Sequence, residues 1–370
     1  LLMASDAGLS LDRMPGVTVW QEHLLNTILA HNNRVLDALA SVGGEKGKGI
    51  YPQHIQALEQ DLNLLSQLFW AFNHEIAPLL MEVLDWEVLP KAEVVHMLHG
   101  SGDGYRQLDS VGKEDVQGRA LSAEEVLKRA MADLKQAFIF APYRGWAELA
   151  LPLVDYYHRF GTGPFARYGA FTWFTDGKQN LVGVENTDPI QLSELSGYKE
   201  QVERVIENTT RFVRGLPAHN ILLYGDRGTG KSSTVKGLLH EFAHEGLRLI
   251  EVNRDNLAGL GDLVKLLQHS PLKFIVFIDD LSFEEEETEF KALKSVLEGS
   301  VIKQPDNIRI YATSNRRHLI KERFTDMDHT GELRSQDTVQ EKLSLSDRFG
   351  MTVIYPSPDQ KTYLSIVEHL

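Results

Sequence analysis

The sequence predicts an α/β protein in which a mainly helical first half precedes a parallel sheet covered by helices. From about residue 186 onward, short apolar runs alternate with helical patterns, which indicates βαβ units. The runs are almost continuously apolar, as is typical of strands covered on both faces. All five tryptophans lie in the first 173 residues, where long stretches place apolar residues at helical spacing.

The composition is that of an ordinary globular protein, with 42% hydrophobic and 24% charged residues in a chain of 370. The length allows two domains. The chain has no cysteine, which excludes disulfides and thiolate metal sites. No apolar run approaches the roughly 18 residues of a membrane span and no signal peptide opens the sequence, so we expect a cytoplasmic protein without membrane contact. The net charge of −14 argues against a general nucleic-acid binder.

The first half is expected to contain amphipathic helices followed by a β-hairpin. Apolar residues recur at helical spacing over residues 20–42, 54–84, 122–140 and 145–160. Ser122 and Glu125 form the pattern of a capping box at the start of the third stretch. Two β-rich runs flank the turn-forming residues 175–180, which predicts the hairpin.

Five apolar runs are expected to form the parallel sheet of the second half. They are ILLYG, LRLIEVN, FIVFIDD, IRIYATSN and MTVIYP, which begin at residues 221, 247, 274, 308 and 351. Parallel strands need long crossover connections, and the stretches between these runs are long enough to supply them.

The strongest functional motif is GDRGTGKS, which directly follows the residues ILLY of the first run and fits the pattern G-x-x-x-x-G-K-[ST]. The strand before it and the amphipathic helix after it distinguish it from a chance match. Its glycines allow backbone N–H groups to converge on phosphate oxygens, Lys231 would reach the β- and γ-phosphates, and Ser232 would bind Mg²⁺. The predicted nucleotide-binding residues of this P-loop are Gly225, Asp226, Arg227, Gly228, Thr229, Gly230, Lys231, Ser232 and Ser233.

Two further polar positions follow buried strands. Asp279 follows the apolar residues of the run FIVFIDD, where an acidic residue can hold Mg²⁺, and Asp280 could orient or deprotonate a water. The acidic run that begins at Glu284 is interpreted as the solvated start of a helix, with Glu284 as a reserve base. Asn315 ends the run IRIYATSN and could position a water beside the γ-phosphate, or it could simply cap the turn.

In this order, the three elements resemble the AAA+ ATPases over roughly residues 187–370. The strings LLYGDRGTGKSS, DDLSFE, YATSNRRHL and EKLSLSDRFG resemble the family known as domain of unknown function 815. DRFG is also distantly similar to replication-initiator and helicase-loader ATPases. The resemblance implies ATP and Mg²⁺ as ligands, a sensor-1 role for Asn315, and an adenine pocket formed by Ile190, Leu195, Gly197 and Tyr198.

The resemblance also implies an AAA+ αβα sandwich with a five-stranded parallel sheet. Residues 1–185 would be a helical accessory domain ending in the hairpin, 186–356 the nucleotide-binding core, and 357–370 the start of a helical lid. One departure is the pair Asp279-Asp280, because AAA+ proteins usually have Asp-Glu there, and the shorter second acid leaves the hydrolysis rate open.

Arg348, in the string DRFG, is expected to act as an arginine finger on the nucleotide of a neighbouring subunit. The alternative is a surface arginine that stabilises its turn with Asp347, and Arg316 and Arg317 are reserve candidates. Arg227 lies within the P-loop and is expected to face solvent.

The function expected from the sequence is ATP hydrolysis by a homo-oligomer that remodels or loads a macromolecular partner, a protein rather than a nucleic acid. The alternatives are a slow or non-hydrolysing ATP-dependent switch and a P-loop kinase, against which Asn315 and the DRFG string argue. His96 and His99 have a spacing that could bind a metal, but without a third ligand nearby we interpret them as surface histidines.

Overall fold

The computed structural model describes residues 52–71, 112–115, 118–140, 146–175, 180–281, 288–298, 304–315, 348–360 and 364. The strands in this part of the chain are β1 Ala170–Trp173, β2 Leu181–Val184, β3 Ile221–Gly225, β4 Leu247–Val252, β5 Lys273–Ile278, β6 Ile308–Ser314 and β7 Met351–Tyr355. The α-helices are α1 Pro52–Ala71, α2 Ala123–Phe140, α3 Ala150–Phe160, α4 Pro164–Arg167, α5 Lys199–Val213, α6 Lys231–Phe242, α7 Leu260–Leu267 and α8 Thr288–Glu298.

All seven of these strands form one sheet in the order β2-β1-β4-β5-β6-β3-β7. The five strands predicted as the parallel sheet are parallel to one another. The hairpin strands β1 and β2 are antiparallel to each other, as predicted. They also extend the sheet, because β1 pairs in parallel with β4, Ala170 lying opposite Leu249 and Trp173 opposite Val252. The sheet therefore contains seven described strands, two more than the five predicted.

Helices cover both faces of the sheet, which confirms the αβα sandwich. On one face, Val205 of α5 and Leu238 of α6 pack against strand residues such as Ile275. On the other face, Leu263 of α7 and Leu293 of α8 belong to a second apolar core. Burial of the sheet from both sides explains why its strands are almost continuously apolar.

The described helices before the sheet form a third apolar core. Buried side chains of α1, α2 and α3 meet there, including Leu62, Leu134 and Leu153. The capping box at the start of α2 is present: the Ser122 hydroxyl accepts a bond from the N–H of Glu125, and the Glu125 carboxylate accepts one from the N–H of Ser122. The predicted stretch 145–160 forms a 3-10 turn, Trp146–Leu149, followed by α3.

Arg248 of β4 joins these helices to the sheet. Its side chain is completely buried, and it donates hydrogen bonds to the carbonyl oxygens of Phe160 at 2.8 Å, Phe165 at 2.9 Å and Ala243 at 3.3 Å. Phe160 ends α3 and Ala243 directly follows α6, so the guanidinium lies beside the carboxyl-terminal ends of two helices, where the helix dipoles favour a positive charge. Burial lowers its pKa to about 10, which still leaves Arg248 charged at neutral pH.

Several sequence predictions fall on residues outside the described part of the chain. They are the helix over 20–42, most of the expected lid start at 357–370, and the residues His96, His99, Glu284, Arg316 and Arg317. Among the helices that are described, none combines the length and apolar character needed to cross a membrane.

Candidate active site

The predicted P-loop, Asp279, Asp280 and Asn315 all lie at the carboxyl edge of the sheet. Gly225 ends β3, the two aspartates follow β5, and Asn315 follows β6. These strands are adjacent in the order β5-β6-β3, and neighbouring strands in a sheet are about 4.8 Å apart. The fold therefore brings together residues that are up to 90 positions apart in sequence.

The P-loop passes from β3 into α6 through backbone conformations that require glycine. Gly230, the residue before α6, has a φ of 82°, and Gly225 has a φ of 152°. A β-carbon at Gly225 would lie 1.8 Å from the carbonyl oxygen of Tyr355 on the neighbouring strand β7. The loop can therefore lie this close to β7 only without a side chain at position 225.

Lys231, the first residue of α6, folds back over the P-loop. Its ammonium group donates hydrogen bonds to the carbonyl oxygens of Gly225 at 3.0 Å and Asp226 at 2.6 Å, and only 6% of the residue is exposed. Burial lowers the pKa of Lys231, whereas the nearby carboxylates of Asp226, Asp279 and Asp280 act in the opposite direction. The ammonium group thus lies within the loop, facing its carbonyl oxygens.

Asp279 is the point at which three elements meet. Its Oδ1 atom accepts a hydrogen bond from the Ser232 hydroxyl at 2.6 Å, from the Thr313 hydroxyl, and from the backbone N–H of Asp280 at 3.1 Å. Ser232 belongs to α6 and Thr313 to β6, so the carboxylate connects both elements with the end of β5. A serine hydroxyl beside a carboxylate is a pair of oxygen donors of the kind that Mg²⁺ prefers.

Asp280 has a strained backbone and a fixed side chain. Its φ of 49° is the only positive value at a non-glycine residue in the described part of the chain. Its N–H also donates to the Thr313 hydroxyl at 2.9 Å, and its carboxylate accepts a bond from the Asn315 amide at 2.7 Å. Aspartate is enriched several-fold in this conformation. The backbone thus offers a physical reason for the aspartate that stands where AAA+ proteins usually have glutamate.

A cavity of about 190 Å³ lies beside the P-loop. Its lining includes the predicted residues Ile190, Leu195 and Tyr198, together with Gly230 and Tyr355. The Tyr198 hydroxyl donates to the carbonyl oxygen of Pro356 at 2.8 Å. Burial raises the pKa of Tyr198, and the charge of Asp226 raises it further, so its hydroxyl remains a donor.

The remaining predicted residues take various positions around this site. Gly197 is exposed and has a φ of 89°, Ser233 lies half-buried in the first turn of α6, and Arg227 is exposed, as expected. Arg348 lies at the opposite, amino edge of the sheet. It is three residues before Met351, which pairs with Ile221 at the start of β3, whereas Tyr355 pairs with Gly225.

The sequence reasoning missed Thr313 and Tyr355. Thr313 is buried, and its hydroxyl contacts both aspartates. The sequence does contain a signal for this role, because Thr313 stands two residues before Asn315 and so lies on the same side of β6. The sequence predicts Tyr355 only as part of a strand, because nothing in a buried apolar run shows that its last side chain reaches the P-loop helix. Its hydroxyl lies 3.0 Å from that of Thr234.

Comparison with known proteins identifies a family for more than half of the chain. The family described as "Protein of unknown function (DUF815)" matches residues 166–370. A search of curated proteins gave no significant match.

Solved structures that match this chain include a point variant of RuvB from Thermotoga maritima. It shares 17% sequence identity with this chain at a TM-score of 0.34, and the alignment covers 49% of this chain and 52% of the variant. A second structure, titled as the Holliday junction branch migration motor RuvB of the same organism, has a TM-score of 0.33 with the same identity and coverage. This chain thus spans about half the length of each.

The strain at position 280 can be measured by comparing two substitutions. Asp280→Gly and Asp280→Ala both remove the bond from Asn315, but only glycine adopts a φ of 49° without steric cost. We expect the glycine variant to be more stable by about 1 kcal/mol in chemical unfolding. At the exposed Asp262 in the first turn of α7, the same two substitutions should show the reverse order, since glycine weakens a helix. Equal stability of the two variants at position 280 would contradict a strained backbone.

Proposed function

The chain belongs to the DUF815 family, and we propose that it is an AAA+ P-loop ATPase that binds ATP with Mg²⁺ and hydrolyses it between the subunits of a homo-oligomer. The observation that carries the proposal is the placement of Lys231, Ser232 and Asp279 around one point at the carboxyl edge. The Ser232 hydroxyl and the Asp279 carboxylate are 2.6 Å apart, although 47 residues separate them in sequence.

The residues at this edge suit a nucleoside triphosphate with its metal ion. In the proposal, the backbone of residues 225–230 and the start of α6 bind the phosphates, with further contacts from Lys231, Ser232 and Ser233. Ser232 and Asp279 hold Mg²⁺, which when bound neutralises phosphate charge and fixes the orientation of the phosphates. The adenine lies in the cavity lined by Ile190 and Tyr198, near Gly197.

Two residues are assigned to the activation of water. Asp280 orients a water or accepts its proton, and Asn315 positions that water as a sensor-1 residue. The proposal is supported by the bond from the Asn315 amide to the Asp280 carboxylate, which places both polar groups beside Asp279. The carboxylate of Asp280 is exposed, so a water can reach it.

A second candidate function is an ATP-dependent switch that hydrolyses ATP slowly or not at all. It is favoured by Asp280, whose side chain is shorter than that of glutamate and is already bonded to Asn315. The two functions differ in whether bound ATP is converted to ADP and inorganic phosphate, and a single-turnover measurement with excess protein separates them.

Arg348 is assigned to the nucleotide of a neighbouring subunit. In its own subunit it lies beyond the start of β7, and Met351 alone is about 13 Å from the level of the P-loop at 3.3 Å per residue. Phosphoryl transfer spreads negative charge over the γ-phosphate oxygens, and a guanidinium from another subunit can stabilise that charge. A homo-oligomer with shared sites would follow from such an arrangement.

The partner of the oligomer is proposed to be a macromolecule that is remodelled or loaded, a protein rather than a nucleic acid because the net charge is −14. Residues 1–185 are proposed as the accessory domain that recruits it in the cytoplasm, with residues 186–356 as the nucleotide-binding core and residues 357–370 as the start of a lid. A chain beginning at residue 166 retains the residues of all seven described strands but loses Phe160 and Phe165, whose carbonyl oxygens bond the buried Arg248, so its ATP binding also tests whether it folds. We expect it to bind ATP but no longer to retain partners in affinity capture. Equal capture by this shortened chain and the full chain would contradict the assignment.

Lys231→Ala is expected to abolish ATP binding, because Lys231 provides the ammonium group within the P-loop. Calorimetric titration with Mg-ATP measures the affinity. Lys236→Ala is the matched control, since Lys236 lies on the same helix but pairs with Asp188 at 3.6 Å, away from the loop. Unchanged affinity of the Lys231 variant would remove the P-loop assignment.

Arg348→Ala is expected to bind ATP normally and to hydrolyse it about 10³- to 10⁵-fold more slowly. Mixing it with Lys231→Ala, which retains Arg348, should partly restore turnover, because the intact arginine of one variant then faces the intact P-loop of the other. Arg214→Ala, an exposed arginine just after α5, is the control and should hydrolyse ATP at the normal rate. An inactive mixture, with wild-type activity independent of protein concentration, would show that Arg348 does not act on a neighbour.

A further inference from the structure

Asp226 is a carboxylate within a loop proposed to bind anions. Its backbone is fixed within the loop, because its carbonyl oxygen accepts hydrogen bonds from Lys231 at 2.6 Å and from the Thr229 hydroxyl at 2.8 Å. Its side chain opposes anion binding, since a negative charge beside the loop repels a polyphosphate. The same charge opposes the burial that lowers the pKa of Lys231, and it adds to the burial that raises the pKa of Tyr198.

The Asp226 side chain is bonded to the segment that follows β7. Its Oδ2 atom accepts a hydrogen bond from the hydroxyl of Ser357. Ser357 stands between Pro356 and Pro358, and a residue that precedes a proline is restricted to extended conformations. The hydroxyl is therefore presented from a stiff backbone, which lowers the entropic cost of the bond.

Two other contacts hold this segment against the nucleotide site. The carbonyl oxygen of Pro356 accepts the bond from Tyr198, which lines the cavity. The Thr234 hydroxyl donates to the carbonyl oxygen of Gly230 at 2.8 Å, so its oxygen can accept the proton of Tyr355 at 3.0 Å. Burial raises the pKa of Tyr355 to about 12, which keeps its hydroxyl protonated. The end of β7 is thus fixed to both sides of the P-loop.

We propose that Ser357 is a positioning residue that holds the Asp226 carboxylate on the β7 side of the P-loop, so that the carboxylate forms no ion pair with Lys231 and does not face the phosphates. Without the serine hydroxyl, the exposed carboxylate can turn towards the Lys231 ammonium group and compete with the nucleotide for it. The proposal rests on the proposed ATP site and adds a residue that controls its affinity.

The test measures Mg-ATP affinity of the full chain by calorimetry. Ser357→Ala should weaken binding about tenfold, and Ser357→Thr, which keeps a hydroxyl, should bind like the wild type. The double variant Asp226→Asn, Ser357→Ala should bind as tightly as Asp226→Asn alone, because no carboxylate is left to restrain. Adenosine, which has no phosphate, should bind Ser357→Ala and the wild type equally, and the loss of ATP affinity should shrink at high salt.

The results of these binding measurements separate the positioning role of Ser357 from the proposed ATP site. If Ser357→Ala binds Mg-ATP like the wild type, or if the double variant binds as weakly as Ser357→Ala, the positioning role is wrong while the ATP site stands. Weaker binding of adenosine to Ser357→Ala would show that the serine shapes the cavity and does not restrain a charge. If the wild type fails to bind Mg-ATP, the proposed function fails and this inference fails with it.

Discussion

The site depends on the hydrogen bonds that the carboxylate of Asp279 accepts. A single oxygen atom accepts hydrogen bonds from Ser232, Thr313 and Asp280, and these donors belong to the P-loop helix, to β6 and to the turn after β5. Without that acceptor, the buried Thr313 hydroxyl and the half-buried Ser232 hydroxyl would lack their common partner, at a cost of about 1–3 kcal/mol for a donor that stays buried and unpaired. This one oxygen atom therefore holds the P-loop helix, β6 and the turn after β5 together at the site.

Because the strands run parallel, the groups proposed to take part in catalysis lie at two opposite edges of the sheet. The carboxyl ends of β3, β5 and β6 bring the P-loop, the aspartates and Asn315 together. The turn before β7 instead places Arg348 at the amino edge, where it cannot reach the P-loop of its own chain. If Arg348 acts on a neighbouring subunit as proposed, a complete site would require two subunits, and assembly and hydrolysis would be coupled.

The sequence was sufficient for features that depend on local spacing and insufficient for those that depend on distant pairing. The P-loop, the five parallel strands and the capping box of Ser122 and Glu125 were predicted from short patterns. The pairing of β1 with β4 was not, because the partners Ala170 and Leu249 are far apart in the chain. The φ of Asp280 and the contact of Ser357 with Asp226 likewise arise only when separate segments meet.

The measurement that tests the central claim most directly compares phosphate release from Mg-ATP by the wild type and by Asp280→Asn, with nucleotide affinity measured in parallel. Asparagine tolerates the backbone of position 280 and keeps the size of the side chain, so both proteins should bind ATP equally. The account predicts turnover by the wild type and a loss of about 10²- to 10⁴-fold in the variant, the contribution of a general base. Equal turnover by both proteins, or ATP binding without any turnover by the wild type, would contradict it.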